Sequence, residues 1–148
     1  MAKTWTTDDM YELATRHARI ETAGDLDGTM ATLVDAPIYE FHPIGFTLTT
    51  TAPVRRYYEH LIGSFIPMTR GYELLEEWVN ETSLAQEYSI TLGTPEGDET
   101  HRVIGVLFVT AESMSGAQKL LAGERIYGSE RCIRLMAGDA LVDERLAR

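Results

Sequence analysis

Leu84-Ala85-Gln86-Glu87-Tyr88-Ser89-Ile90-Thr91-Leu92 runs directly into Gly93-Thr94-Pro95-Glu96-Gly97-Asp98. The first part has a period of two: Leu84, Gln86, Tyr88 and Ile90 share one face, and Ala85, Glu87 and Ser89 share the other. That is a strand. The second part is a cluster of turn formers and reads as a hairpin loop. Thr100 to Thr110, apolar through Val103, Ile104, Val106, Leu107, Phe108 and Val109, is then the returning strand. Working outward, Tyr72 to Asn80 is a long strand joined to the first by a short turn near Glu81-Thr82-Ser83. On the other side, Glu112 to Gln118 is a second hairpin loop and Lys119 to Tyr127 a last long strand.

The N-terminal half has a different period. Met10, Leu13, Ala14, His17 and Ile20 recur at helical spacing, predicting a helix from about Asp8 to Thr22 that Thr7 or Asp8 can cap. Ala23-Gly24-Asp25 breaks it. A short helix from about Leu26 to Leu33 follows, weakened by Gly28. Ala36 to His42 reads as a strand ending at Pro43, and Gly45 to Thr50 as a short extended segment. A third helix starts near Thr51-Ala52-Pro53, with proline in its tolerated first turn. It carries Val54, Tyr57, Tyr58, Leu61, Ile62 and Phe65 on one stripe and stops at Pro67. A closing helix spans about Ser129 to Met136, ends at Gly138, and leaves a loosely ordered tail.

Helices first and a meander of long strands after them make an α+β fold, with helices laid on one face of a curved antiparallel or mixed sheet. Long strands twist and curl. Between a curled sheet and the helices across it a cone-shaped cavity remains. Four strand stretches place ionisable or hydroxylated residues among apolar ones: Tyr39-Glu40-Phe41-His42, Gln86-Glu87-Tyr88, His101-Arg102-Val103-Ile104 and Gly123-Glu124-Arg125-Ile126-Tyr127. A carboxylate in a plain core is costly, so the repetition points to a pocket with polar tips.

Composition narrows the classes. The chain has 148 residues, 44% of them hydrophobic, enough for one domain, 1–148, with a full core. A formal charge of -10 argues against nucleic acid and anionic membranes, both of which need a basic face. No apolar run approaches the roughly 18–20 residues needed to span a bilayer. Met1-Ala2-Lys3-Thr4-Trp5-Thr6 has no apolar core of a signal peptide, so the expected location is cytoplasmic. The lone cysteine, Cys132, excludes an intramolecular disulfide and a thiolate metal cluster, and its setting is that of a buried structural thiol. No metal-ligand spacing, glycine-rich phosphate loop or nucleophile elbow is present, which disfavours metal, nucleotide cofactors and serine hydrolysis.

The chain resembles the nuclear transport factor 2-like α+β cone, cystatin-like in shape, in its SnoaL-like branch. Three stretches carry the resemblance, which covers nearly the whole chain: Tyr39-Glu40-Phe41-His42-Pro43-Ile44-Gly45 leading into Ala52-Pro53-Val54-Arg55-Arg56-Tyr57-Tyr58; Ala85-Gln86-Glu87-Tyr88; and Gly123-Glu124-Arg125-Ile126-Tyr127. The resemblance implies cofactor-free, metal-free acid–base chemistry in the cavity, as in polyketide cyclases, ketosteroid isomerases, dehydratases and epoxide hydrolases. It also implies a homodimer through the open face of the sheet. Where relatives often place an aspartate just past the last strand, Tyr127-Gly128-Ser129 has serine.

The candidate catalytic residues are Glu40, His42 and Glu87. Glu40 and His42 share a strand face, so a carboxylate stands beside an imidazole. They face either the cavity or solvent, and the resemblance favours Glu40 inside. Hydrophobicity alone puts Glu87 outside, while the resemblance puts it in the pocket. Candidate substrate-binding residues are His17, Tyr58, Trp78, Tyr88, Glu124 and Tyr127, with tyrosine hydroxyls as donors to a developing oxyanion. Glu124 and Arg125 point to opposite faces, so only one of them enters the pocket. The expected ligand is a small, hydrophobic, oxygenated molecule. A non-catalytic carrier and an assembly module of the same fold are the alternatives.

Overall fold

The computed structural model describes residues 4–148. The leader reading rests partly on Met1, Ala2 and Lys3, which lie outside the described residues. Helix α1 (Thr7–Thr22) is capped by Thr6, not by Thr7 or Asp8. The Thr6 hydroxyl accepts from the Asp9 backbone N–H, and the Asp9 carboxylate accepts from the Thr6 N–H, a capping box. Met10, Leu13, Ala14 and His17 form its buried stripe. Helix α2 (Leu26–Ala31) is shorter than the sequence suggests, because the chain is already extended at Leu33.

Strand β1 (Leu33–His42) starts earlier than expected. Its register on β6 (Leu121–Tyr127) shifts between Leu33 and Ile38, and within that bulge Ala36 takes a left-handed conformation, φ 55°. The alternation is lost there. After β2 (Phe46–Leu48), helix α3 (Thr51–His60) continues through a π turn, Leu61–Phe65, into α4 (Ile66–Met68). Strands β3 (Thr69–Val79), β4 (Ser83–Thr94) and β5 (Gly97–Phe108) follow. The expected six-residue hairpin loop shrinks to a tight turn at Pro95-Glu96, because Thr94 pairs with Gly97 and its hydroxyl donates to the Gly97 carbonyl. Gly97, at φ 122°, supplies the left-handed residue. The chain after Gly138 is not loose: α5 (Glu130–Ala137) is followed by α6 (Asp139–Leu146), which buries Leu141 and Val142.

The strand order is β2-β1-β6-β5-β4-β3. All pairings are antiparallel except β1 with β6, so the sheet is mixed. Cross-strand partners share a face. One row runs Tyr39, Glu124, Leu107, Leu84, and the adjacent row runs Glu40, Arg125, Val106, Ala85, Trp78. The first row faces the helices: Tyr39, Leu84 and Leu107 are buried. The second row faces away. Helix α1 packs over β3 and β4 and α3 over β1, and the sheet curls around them. No helix among the described residues is long and apolar enough to cross a membrane.

Candidate functional site

A cavity of about 770 Å³ lies between α1, the Leu61–Phe65 turn and the inner faces of β3 to β6. That is within the usual range for small-molecule sites, roughly 300–1,000 Å³. Leu61, Phe65, Ile66, Leu84, Ile90, Leu107 and Met136 supply apolar wall, and His17, Glu21, Gln86, Tyr88 and Glu124 supply polar atoms. A second depression of about 540 Å³ lies outside the cone, along Trp5, Asp9, Glu12, Arg16 and Lys119. Its charges sit on an open surface, where water screens them, so the cone is the candidate site.

His17 is 1% exposed and held at both ring nitrogens. Nδ1 lies 2.6 Å from the Thr32 hydroxyl, and that hydroxyl donates its one proton to the Thr29 carbonyl at 2.7 Å. Thr32 can therefore only accept from the ring, which places a proton on Nδ1. Nε2 is the nitrogen turned toward Glu21. It stands 3.0 Å from the Tyr58 hydroxyl and 3.2 Å from the Glu21 carboxylate, one helical turn along α1. Tyr58 continues the chain to the Tyr39 hydroxyl at 2.6 Å. Burial raises both tyrosines well above the usual phenol range, so they remain hydroxyls.

Glu124 is opposite in character. It is half-buried on the cavity face of β6, between the buried Gly123 and the half-buried Arg125 of the far face. Loss of water, and secondarily the negative charge of Glu21, raise its carboxyl well above the usual carboxylate range. Two carboxyl groups of unlike environment thus look into one cavity. Tyr88, also raised by burial first and by Glu124 second, adds a hydroxyl.

The sequence candidates divide by sheet face. His17, Tyr88 and Glu124 line the cavity, and Tyr58 sits behind it on His17. Glu40, His42, Glu87, Trp78 and Tyr127 do not reach it. Tyr39 and Phe41 take the inner positions of β1, which turns Glu40 and His42 outward. There Glu40 bonds His42 and Arg125, each at 3.1 Å, and His42 stacks on Tyr127. Glu87 pairs with Arg102 at 3.2 Å on the same outer face. Trp78 and Tyr127, 50% and 42% exposed, lie there too. Hydrophobicity had the facing of Glu87 right, and the family-based expectation of Glu40 inside is corrected by the packing of its neighbours.

Glu21 and Thr32 complete the site without having been singled out from sequence, and Gln86 and Tyr39, quoted there only within polar strand stretches, join them. The four-residue step from His17 to Glu21 is the signal that locates Glu21, since i and i+4 meet on a helix. A separate Ser129, His101 and Glu99 grouping is structural. The Ser129 hydroxyl caps α5 by accepting from the Cys132 N–H, and Arg131 grips Glu99 at 2.7 Å, holding its carboxyl down to about 2. Among the described residues no group of three or more His, Cys, Asp and Glu side chains is placed to hold a metal ion.

The sequence matches no protein-family model and no curated protein sequence. Solved structures match it with confidence. One is a nuclear transport factor 2-like protein of unknown function from Burkholderia xenovorans, at a TM-score of 0.61 and 16% identity over 82% of this chain and 84% of that one. A second is SalBIII, described as an epoxide hydrolase/cyclase-like enzyme in pyran ring formation in the polyether salinomycin, at 0.62 and 15% over 84% and 93%. A third, from Catenulispora acidiphila, has a ketosteroid isomerase-like fold and was solved with trimethylamine, at 0.56 and 14% over 86% and 92%. The fold of this chain is the nuclear transport factor 2-like α+β cone.

Proposed function

We propose that this chain, with its nuclear transport factor 2-like cone, is an acid–base enzyme acting on a small, apolar, oxygenated molecule. The observation that carries the reading is the pair Glu124 and Glu21 on one cavity, the first disposed to keep its proton by burial and the second tied to His17. Glu124 donates its proton to a substrate oxygen as that oxygen gains charge. Glu21, with His17 Nε2 beside it, takes a proton from a carbon next to a carbonyl, or from a water that attacks an epoxide carbon. His17 Nε2, a bare lone pair in the ring that carries its proton on Nδ1, stands beside Glu21 to share the proton that Glu21 gains, while Thr32 keeps the ring from turning over. Isomerisation, cyclisation, dehydration and epoxide opening are all proton transfers of this kind. The likeness to a cyclase-like enzyme and to a ketosteroid isomerase-like fold supports the reading at the level of fold.

The test uses 3-cyclohexen-1-one, whose double bond moves into conjugation, and cyclohexene oxide, which opens to a diol. Wild type is expected to turn over at least one of them. Glu124→Gln and Glu21→Gln should each lower the rate by about 10²–10⁴-fold, the usual worth of a positioned acid or base. Saturable binding of both compounds without turnover would leave a carrier in place of an enzyme.

A further inference from the structure

Gln86 sits in the middle of β4 on the cavity wall, and its side-chain amide is not free to turn. Its Nε2 lies 2.6 Å from Glu77 Oε2 on the neighbouring strand, where Glu77 is its register partner. A carboxylate only accepts, so the group facing Glu77 has to be the NH₂. Flipping the amide would set its carbonyl oxygen against the carboxylate. The Gln86 carbonyl oxygen makes no hydrogen bond with any described residue, yet it is not among the sealed, unpartnered polar atoms. It is an oriented acceptor on a wall otherwise apolar at Leu84 and Ile90.

We propose that Gln86, oriented by Glu77, is the specificity residue of the cavity and selects ligands that present a hydroxyl. The inference rests on the cavity being a ligand site, as read above. An acceptor locked by a neighbour discriminates better than a free amide, because a ligand that offers only an acceptor meets the lone pairs of a carbonyl oxygen that cannot turn away. Two further features bear on the ligand. Tyr72, exposed at the cavity mouth, packs its ring on Tyr88 at 5.3 Å, so the wall beside Gln86 is aromatic. The Gln86 carbonyl oxygen, which has no proton to give, disfavours an anionic group at this wall. The favoured ligand is neutral, with a flat apolar body and a hydroxyl. Glu77 is a positioning residue: it touches Gln86 and not the ligand.

The test is calorimetric binding of 2-naphthol and of 2-methoxynaphthalene, which share a body and differ in the donor. Wild type should prefer the naphthol by about five- to tenfold, the worth of one neutral hydrogen bond. Gln86→Leu should remove the preference by weakening the naphthol alone. Glu77→Gln, whose own amide tolerates either orientation of Gln86, should shrink it by improving the methyl ether. Melting curves establish that each variant is folded, and if Gln86→Leu is not, Glu77→Gln carries the test alone. Equal binding of the two compounds by wild type, or a preference that survives both substitutions, overturns the role of Gln86 and leaves the cavity reading intact. Absence of binding by either compound overturns the cavity reading itself.

Discussion

The carboxyl group of Glu124 lies over the bare backbone of Gly105, so close that a Cβ at position 105 would come 2.9 Å from its Oε1. Gly105 is the register partner of Ile126 on β6, and it faces the same cavity. Any other residue there would fill the space that the acid occupies. A glycine inside a strand is otherwise a weakness, and here it makes room for a side chain. Gly105→Ala is expected to displace the Glu124 carboxyl and lower turnover of the cyclohexenone or epoxide probe at least tenfold. Combining it with Glu124→Gln should add almost nothing, since both changes act on the same group. An additive double variant would show that Gly105 matters for the sheet and not for the acid.

Glu124 also leaves a mark on stability that needs no substrate. Its carboxyl is raised in the folded chain by burial and by Glu21, so the folded state holds this proton at pH values where the unfolded state has released it. Between the ordinary glutamate value, about 4.3, and the raised folded value, stability therefore falls as pH rises. Glu124→Gln removes that slope. The variant should melt close to wild type at pH 4 and above it at pH 8, by about 2–4 °C for each ~1 kcal/mol removed. Parallel Tm–pH curves for the two proteins would mean that Glu124 is solvated.

Thr32 is the residue that sets which nitrogen of the neutral His17 ring carries the proton. Thr32→Val keeps the shape and removes the acceptor, leaving a buried N–H without a partner, at a cost of about 1–3 kcal/mol. Thr32→Ser keeps the hydroxyl and should restore most of it. Denaturant unfolding measures the loss. Nitrogen NMR of the ring supplies the readout that a merely structural role would not move: wild type should show the proton on Nδ1, and Thr32→Val a mixture of tautomers.

The sheet was legible because Leu84 to Leu92 alternates and the strands from Tyr72 onward are punctuated by turn formers. The helices were legible because Met10, Leu13, Ala14 and His17 keep one stripe. The site was half legible. His17 and Tyr88 sit on faces whose other members are mostly apolar, which pointed them inward, while the choice between Glu124 and Arg125 stayed open until the register of β6 on β1 and β5 was known. Glu40, His42, Trp78 and Tyr127 misled for one physical reason: the outer face of this sheet is itself partly apolar. Ala85, Ile104 and Val106 lie on it, in the rows of Trp78 and Tyr127. With both faces mixed, alternation shows that two faces exist and not which one meets the helices. Glu21 was hidden because a glutamate near the end of an exposed-looking helix is ordinarily solvated. Only its step from His17 marked it. Gln86 was hidden because its role depends on Glu77, a neighbour through sheet register and not through sequence spacing.

Cys132 provides a check on the packing behind the cavity. It is fully buried on α5, beside Ile133 and Met136 of the core. Burial, and to a lesser degree Glu99, push its thiol up to about 12. The thiolate is the reactive form, so at pH 8 the native protein holds almost none of it. Ellman's reagent should leave the folded chain unmodified over hours and titrate one thiol per chain in denaturant. Because access requires α5 to leave the sheet, the slow native rate reports opening of that helix. Occupying the cavity with 2-naphthol should slow it further, since Met136 of α5 lines the cavity wall. Rapid labelling of the native chain would mean that α5 is not seated on the core as described, and the wall that Met136 gives the cavity would go with it.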